Sequence, residues 1–309
     1  MAKFRVTPRS HSSLQDWVAE EKGYFADEGL TDFDLVVQRV GFEEGYGNPL
    51  GPDQVPVQTN GAYEAGVRNP SANPDPGRVS NVNTFCHWAV NMATGGGHGL
   101  MWAHAYSWTI SGLYVPPESP IQTARDLANV EVAVGYHSGS HFSTLLSMEK
   151  FLKPEEINLK FVGGPNDRMG LLLDRKVPAA NGLGMPCEIL AQNGFRKIVD
   201  NSFIQGFLIS GDVVLEDAVR YFRALRRAQQ DIDLDAQPYK HYLMEYSIPP
   251  KYHEYVKEVE GLAVPTRIVF EEYTKEMYEE TRQWMDSRQL FDKEQVTQSI
   301  TSYEEALMR

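Results

Sequence analysis

The feature that most constrains the fold is a stretch of 39 residues without a charged side chain. No Asp, Glu, Lys or Arg occurs between Val79 and Pro117, where the chain average of 23% would place about nine. A run of this length must be largely buried in a sheet or must line a cleft. Its groups that titrate near neutral pH are Cys86, His87, His98 and His104. Burial alone explains the missing charges, but it does not explain the three histidines.

Length and charge narrow the class of protein further. The chain has 309 residues, 42% of them hydrophobic, which is enough for two compact lobes. Its net charge of −13 argues against nucleic acid or an anionic membrane surface as the main partner. The two cysteines form no zinc motif and the histidines no metal spacing, so we expect neither a metal nor another cofactor.

The beginning of the chain and its apolar runs bear on location. The first ten residues lack the apolar segment of a secretory signal, and no run is long enough for a membrane span. We therefore expect a cytoplasmic protein, or a periplasmic one if a leader was removed from the sequence. A homo-oligomer is compatible with the sequence.

Alternating strand and helix patterns predict two doubly wound α/β lobes with a helical C-terminal tail. We expect lobe 1 in residues 1–113, lobe 2 in residues 114–207, and a return to lobe 1 followed by helices in residues 208–309. The predicted crossings lie near residues 111–118 and 206–211. Lobe 1 carries an insertion at 43–80, since Gly45–Gly77 holds six prolines and six glycines. This insertion either covers a site or is a plain surface loop.

Several motifs occur in an order that resembles the type II periplasmic solute-binding-protein-like superfamily. Glu21–Leu30 (EKGYFADEGL) is similar to a signature of the branch that includes nitrate, sulfonate and taurine binders and thiamine-pyrimidine synthases. Ser119–Leu127, Val132–Ser140, Gly164–Arg168 and the Trp284–Leu290 segment are also similar to that branch. The resemblance implies two lobes joined by a hinge, with a small solute bound in the central cleft.

Three departures from the family bear on function. The Pro/Gly-rich insertion replaces the family's usual helix after the second strand, and the cysteine-rich signature of the pyrimidine synthases is absent. A sulfinate desulfinase with this fold uses a cysteine in the loop after its first strand. The similar loop here has Arg9, Ser10 and His11 and no cysteine, so the resemblance does not carry that chemistry over.

Ligands of doubly wound lobes bind beyond the carboxyl ends of the strands, and this rule selects the candidate site residues. Ser138 and Ser140 stand at a predicted helix N-terminus, which favours an anion, although the same serines could be simple caps. His11 and His87 are the candidate acid–base groups, and Cys86 is a nucleophile unless it is a buried, inert thiol. The other predicted substrate-binding residues are Arg9, Ser10, Phe42, Glu43, Tyr46, Asn60, Trp88, His141, Phe142, Asp167 and Arg168.

Four aromatic residues in or near the charge-free stretch have two interpretations. Trp88, Trp102, Trp108 and Tyr114 form either a wall for a ring-containing ligand or part of the core.

Two functions remain open from the sequence. The favoured one is a cytosolic enzyme on a solute-binding scaffold, a hydrolase, decarboxylase or other lyase acting on a small aromatic or carboxylated substrate. The alternative is the substrate-binding component of an ABC-type importer, or a sensor derived from one, that binds a small organic anion and an ABC permease. Fold does not choose between them.

Overall fold

The computed structural model describes residues 4–6, 14–35, 81–209, 213–290 and 302–309, and these residues form two β-sheets flanked by helices. The first sheet has eight strands: β1 (Phe4–Val6), β2 (Phe33–Leu35), β3 (Val82–Cys86), β4 (Leu100–Trp102), β5 (Tyr106–Thr109), β11 (Phe203–Ile209), β12 (Thr266–Val269) and β13 (Leu307–Met308). The second has five: β6 (Ser111–Val115), β7 (Glu131–Val134), β8 (Asn158–Phe161), β9 (Ala179–Leu183) and β10 (Arg196–Asp200). The predicted two-lobed α/β architecture is confirmed.

The helices pack on these sheets. They are α1 (Leu14–Glu21), α2 (Tyr24–Asp27), α3 (His87–Gly95), α4 (Gly139–Met148), α5 (Pro165–Leu173), α6 (Met185–Gln192), α7 (Leu215–Leu234), α8 (Lys240–Tyr242), α9 (Lys275–Ser287) and α10 (Tyr303–Ala306). The longest, α7, buries Ala218, Phe222 and Leu225, whereas Leu215 at its start is 42% exposed. No helix of the described ranges is both long enough and apolar enough to cross a membrane.

Both sheets combine parallel strands with antiparallel ones. In the first sheet β1 pairs in parallel with β2 and β3, and β11 runs antiparallel to β3. In the second, β7 pairs in parallel with β8 and β9, while β6 and β10 are antiparallel additions. The β7-α4-β8-α5-β9-α6 order gives three β-loop-α units, so the loops after β7, β8 and β9 lie at one edge of the second sheet.

The crossings between the sheets are tighter than the sequence predicted. Ser111–Val115, expected as a linking segment, is strand β6, because its five residues pair with β9 on one side and β10 on the other. Ile110 alone separates β5 of the first sheet from β6 of the second. The return crossing uses Asn201 and Ser202, since β11 already begins at Phe203.

The charge-free stretch is largely buried, as predicted. It contributes β3, α3, β4, β5 and β6, and α3 buries every residue after His87. The four aromatic residues considered as a wall do not form one. Trp88 is in the core between the lobes, Trp102 stacks on Phe222 at 4.7 Å, Tyr114 packs in the core against β9, and Trp108 is 47% exposed on β5. The four side chains lie on four different elements, α3, β4, β5 and β6, which separates these rings.

Candidate functional site

The loop between β7 and α4 is held by its own serines. Ser138 Oγ donates to the Gly135 carbonyl oxygen at 2.7 Å, and the Gly135 N–H donates to Ser140 Oγ at 2.8 Å. The two hydroxyl oxygens are 2.7 Å apart. His137 adopts the left-handed conformation with φ of 45°, which turns the chain between the strand and the helix. Both serines therefore fix the loop rather than project freely from it.

The start of α4 is left open by this arrangement. Ser138 is the N-cap residue, yet its side chain makes no capping hydrogen bond with α4. The first hydrogen bond of the helix runs from the Phe142 N–H to the Ser138 carbonyl oxygen. Within the described residues, nothing accepts from the N–H groups of Gly139, Ser140 or His141. Free N–H groups at the positive end of a helix dipole suit an anion.

A buried guanidinium lies beside this loop. Arg168 on α5 is 2% exposed, and its Nε donates to the Asn181 carbonyl oxygen at 3.0 Å. Its Nη1 donates to the Gly163 carbonyl oxygen at 2.7 Å. No carboxylate of the described residues forms an ion pair with it. A guanidinium has five N–H donors, so these two contacts leave capacity for an anionic acceptor.

Gly135 joins the loop and the guanidinium. A methyl carbon placed on Gly135 would lie 3.0 Å from Ser138 Oγ and 3.1 Å from Arg168 Nη1. The loop after β7 and the first turn of α5 are therefore in direct contact. Since both follow neighbouring parallel strands, the second lobe brings a helix N-terminus and a buried cation to the same edge of its sheet.

Burial shifts the pKa values of the two charged residues at this edge, Arg168 and Asp167. Burial lowers the pKa of Arg168 to about 10, so the guanidinium still carries its proton at neutral pH. Burial raises the pKa of its neighbour Asp167 to about 6, and a hydrogen bond from the Gly164 N–H counteracts part of that rise. Asp167 Oδ2 accepts that bond at 2.7 Å and closes the first turn of α5. Asp167 thus caps the N-terminus of α5, and Arg168 supplies the positive charge.

Lobe 1 meets this region at the start of α4. A methyl carbon on Gly139 would lie 2.3 Å from Phe203 Cζ and 3.0 Å from Cys86 Cβ, so only glycine permits this approach. Cys86 ends β3, is the N-cap of α3 and is 7% exposed. Burial raises the pKa of its thiol to about 12, which keeps it protonated. The burial of Cys86 favours the alternative of a buried thiol over that of a nucleophile.

His87 contacts residues of the C-terminal part of lobe 1. Its Nδ1 lies 3.0 Å from Thr281 Oγ1 on α9 and 3.2 Å from Tyr273 Oη. Burial lowers the pKa of the imidazole to about 3, so the ring is neutral at neutral pH. A ring that contacts α9 and carries no charge gives no support to its predicted acid–base role.

Three further predicted residues, Trp88, His141 and Phe142, contribute to packing. Phe142 is fully buried, with its ring 5.9 Å from Trp88 and 6.4 Å from Trp284, so it joins α4 of lobe 2 to lobe 1. His141 is 7% exposed and its ring lies 5.0 Å from Phe161. Burial, and then the nearby His137, lower the pKa of His141 to about 3. Its Nδ1 has no hydrogen-bond partner among the described residues.

The remaining predicted site residues are Arg9, Ser10, His11, Phe42, Glu43, Tyr46 and Asn60, and all seven lie outside the described residues. Their assignment stays a prediction. In the described ranges, no cluster of three His, Cys, Asp or Glu side chains could hold a metal ion.

The sequence did not point to Asn181, which contacts Arg168 and the crossing strands. It is fully buried on β9, and its side chain reaches Ser111 and Asn201. No local pattern distinguishes a buried strand asparagine that precedes a glycine from a turn residue.

Comparison with known proteins gives structural relatives only. No protein-family model matches the chain, and no curated protein matches it by sequence. The alkanesulfonate-binding protein SsuA from Xanthomonas axonopodis pv. citri, bound to MOPS, has a TM-score of 0.69 at 14% identity, covering 100% of this chain and 99% of that one. The periplasmic aliphatic sulphonate-binding protein SsuA from Escherichia coli gives 0.65 at 14% identity, with 94% of each chain covered.

An enzyme also shares the architecture, with a lower score. The desulfurization enzyme DSZB has a TM-score of 0.56 at 12% identity, and 93% of each chain is covered. Identities this low show a common fold and leave function to the site. The chain therefore shares the two-lobed α/β fold of these solved structures, as its sequence motifs predicted, and sulfonate-binding proteins are among its structural neighbours.

Proposed function

We propose that this chain is the substrate-binding component of an ABC-type importer and that it binds a small organic anion of the sulfonate class between its lobes. The observation that carries the proposal is Arg168, a buried guanidinium that forms no ion pair within 4.0 Å with a carboxylate of the described residues, although the charge of the neighbouring Asp167 attracts it. Burying a charge is costly unless a partner or several hydrogen bonds compensate. An anionic ligand at this edge supplies that partner.

The chemistry around Arg168 favours a sulfonate. The three unpaired N–H groups at the start of α4 and the remaining N–H donors of Arg168 offer several hydrogen bonds to one compact oxyanion. A sulfonate has three acceptor oxygens and stays ionised over the pH range of ordinary growth. Solved neighbours named as alkanesulfonate-binding and aliphatic sulphonate-binding proteins support the same ligand class.

The described contacts support binding better than catalysis. An enzyme of the predicted kind needs a nucleophile or an acid–base group beside the ligand. Cys86 is a protonated, buried thiol, and His87 is a neutral ring whose Nδ1 contacts α9. The importer function, which the sequence left as the alternative, requires neither group.

The proposal implies a location and a partner. A binding component of this kind works outside the inner membrane and delivers its solute to an ABC permease. A neighbour named as a periplasmic sulfonate-binding protein of an ABC transporter, from Methylobacillus flagellatus KT, supports that interpretation. We therefore propose a periplasmic location in place of the cytoplasmic one that the sequence favoured.

A thermal-shift screen tests this function. Matched compounds would be compared at equal concentration: MOPS, ethanesulfonate and taurine as sulfonates, propionate as a carboxylate, and ethanol as an uncharged analogue. A ligand that binds only the native state raises the Tm. At a hundredfold excess over its Kd, such a ligand increases the free energy of unfolding by about 2.7 kcal/mol. We expect at least one sulfonate to raise the Tm more than propionate does.

Mass spectrometry of the same samples separates binding from catalysis. We expect every stabilising sulfonate to be recovered unchanged after prolonged incubation with the protein. Conversion of a stabilising compound would establish the enzyme instead. A shift caused by propionate alone, with none by the three sulfonates, would refute the proposed ligand class.

A further inference from the structure

Asn181 occupies a position where three parts of the molecule meet. It lies on β9 and is fully buried. Its Nδ2 lies 2.9 Å from Ser111 Oγ, 3.3 Å from Asn201 Oδ1 and 3.4 Å from Thr144 Oγ1. Its main-chain carbonyl oxygen accepts the hydrogen bond from Arg168 Nε at 3.0 Å. One residue therefore contacts α4, α5 and both crossing segments, residues 110–112 and 200–203, which contain the crossing residues Ile110, Asn201 and Ser202.

The two crossing segments are also bonded to each other. Ser111 Oγ donates to Asn201 Oδ1 at 2.8 Å, and the Asn201 N–H donates to the Ser111 carbonyl oxygen at 3.2 Å. The Ser111 N–H donates to Ser202 Oγ at 3.2 Å. Any rotation of one lobe against the other must change the backbone at these residues, because they are where the chain passes from sheet to sheet.

The Asn181 side chain is only partly satisfied in this arrangement. Its Oδ1 is buried and has no hydrogen-bond partner within the described residues. A buried acceptor without a donor is unfavourable, so this arrangement of the lobes depends on compensation from other contacts. An anion on Arg168 gives no donor to this side-chain oxygen, but it would fix the guanidinium that bonds the Asn181 main-chain carbonyl oxygen and thereby stabilise this arrangement.

We propose that Asn181 is a positioning residue that couples occupancy of the Arg168 site to the hinge between the lobes. The inference rests on the proposed function, because it assumes an anion at Arg168. When the anion binds, Arg168 and the start of α4 become ordered, and Asn181 transmits this order to Ser111 and Asn201. Asn181 itself need not touch the ligand.

Hydrogen exchange on the full chain, followed by mass spectrometry, tests the coupling. The probes are MOPS and ethanesulfonate, each compared with the ligand-free protein. In the wild type we expect both the start of α4 (139–142) and the crossing segments (110–112 and 200–203) to exchange about tenfold more slowly with the probe, about 1.4 kcal/mol. The Asn181→Leu variant should keep the slowing at α4 and lose it at the crossing segments.

Asn91→Leu is the matched control. Asn91 is also a buried asparagine, it also has an Oδ1 without a partner, and it lies on α3 away from the crossings. This variant should respond like the wild type at both places. If Asn181→Leu does not fold, Asn181→Ser replaces it, because serine keeps a smaller polar group at the same position.

The outcomes separate this inference from the proposed function. Slowing at α4 without slowing at the crossings in the wild type would overturn the coupling and leave sulfonate binding intact. Unchanged slowing at the crossings in Asn181→Leu would also overturn it. Absence of slowing anywhere in the wild type with both probes would count against the proposed function itself and remove the basis for the coupling.

Discussion

Replacing Asp16 by asparagine should stabilise the protein, and the gain should grow as the pH rises. Asp16 lies on α1, is 4% exposed, and accepts a hydrogen bond of 2.5 Å from Tyr221 Oη. Burial raises the pKa of this carboxyl from 3.8 to about 7, against the lowering effect of the tyrosine. At pH values between these two pKa values, the native state therefore retains a proton on Asp16 that the unfolded chain has lost.

The sign and size of the effect follow from that difference. A pKa raised by folding means that stability is greatest below the unfolded value near 4, falls as the pH rises, and levels off above about 7. The full difference corresponds to about 4 kcal/mol, and the part between pH 5 and pH 8 to about 2–3 kcal/mol. Asparagine carries no charge at any of these pH values and still accepts a bond from Tyr221.

Urea unfolding at pH 5 and at pH 8 measures the effect. The free energy of unfolding of Asp16→Asn, relative to wild type, should increase by about 2–3 kcal/mol between the two pH values. Asp286→Asn, a change at an exposed aspartate on α9, is the control and should show no such increase. A pH-independent difference between Asp16→Asn and wild type would refute the assignment of a protonated, buried carboxyl.

Three other predictions concern the thiols and the contact between the lobes. Cys86 and Cys187 are both buried and burial raises the pKa of each thiol to about 12, so neither should react with a thiol reagent until the protein is unfolded, and rapid labelling of the native protein would contradict this. Gly139→Val should lower the free energy of unfolding by about 1–3 kcal/mol in urea titration, because its side chain would collide with Phe203, and an unchanged midpoint would show that α4 does not pack there. Arg288→Gln removes a bidentate ion pair with Glu149 that links the end of α9 to the end of α4. Since Arg288 is exposed, the free energy of unfolding should fall by at most about 1 kcal/mol, and the difference should shrink in high salt. A larger loss that persists in salt would mean that this pair is essential to the contact.

The fold could be predicted from the sequence because its signals are local or ordered along the chain. Alternating strand and helix patterns gave the three β-loop-α units, and the charge-free stretch predicted burial of β3, α3 and β6. Pairing between strands that are distant in sequence was harder to predict. The prediction that Ser111–Val115 is a linking segment is wrong, because the antiparallel partners that make it a strand lie about 70–85 residues away. Periodicity carries no information on such pairing.

The candidate site was predicted only in part, because its geometry depends on contacts distant in sequence. The α4 start and Arg168 follow from the rule that ligands meet the carboxyl ends of parallel strands. The direction of His87 could not be predicted, since it is set by Thr281, which lies 194 residues along the chain. Asn181 was missed for the same reason, as its partners Ser111 and Thr144 lie 70 and 37 residues away.

Isothermal titration of MOPS, with ethanesulfonate as a second ligand, tests the central claim most directly. Arg168→Met removes the buried charge at the proposed site. The control, Arg196→Met, removes a guanidinium of the edge strand β10 that donates to Gln122 and Ser119. We predict that Arg168→Met raises the Kd by about tenfold to a hundredfold, the loss of about 1.5–3 kcal/mol expected for a hydrogen bond to a charged group. Arg196→Met should bind like the wild type. Equal affinity of Arg168→Met and the wild type for both sulfonates would contradict the proposed site.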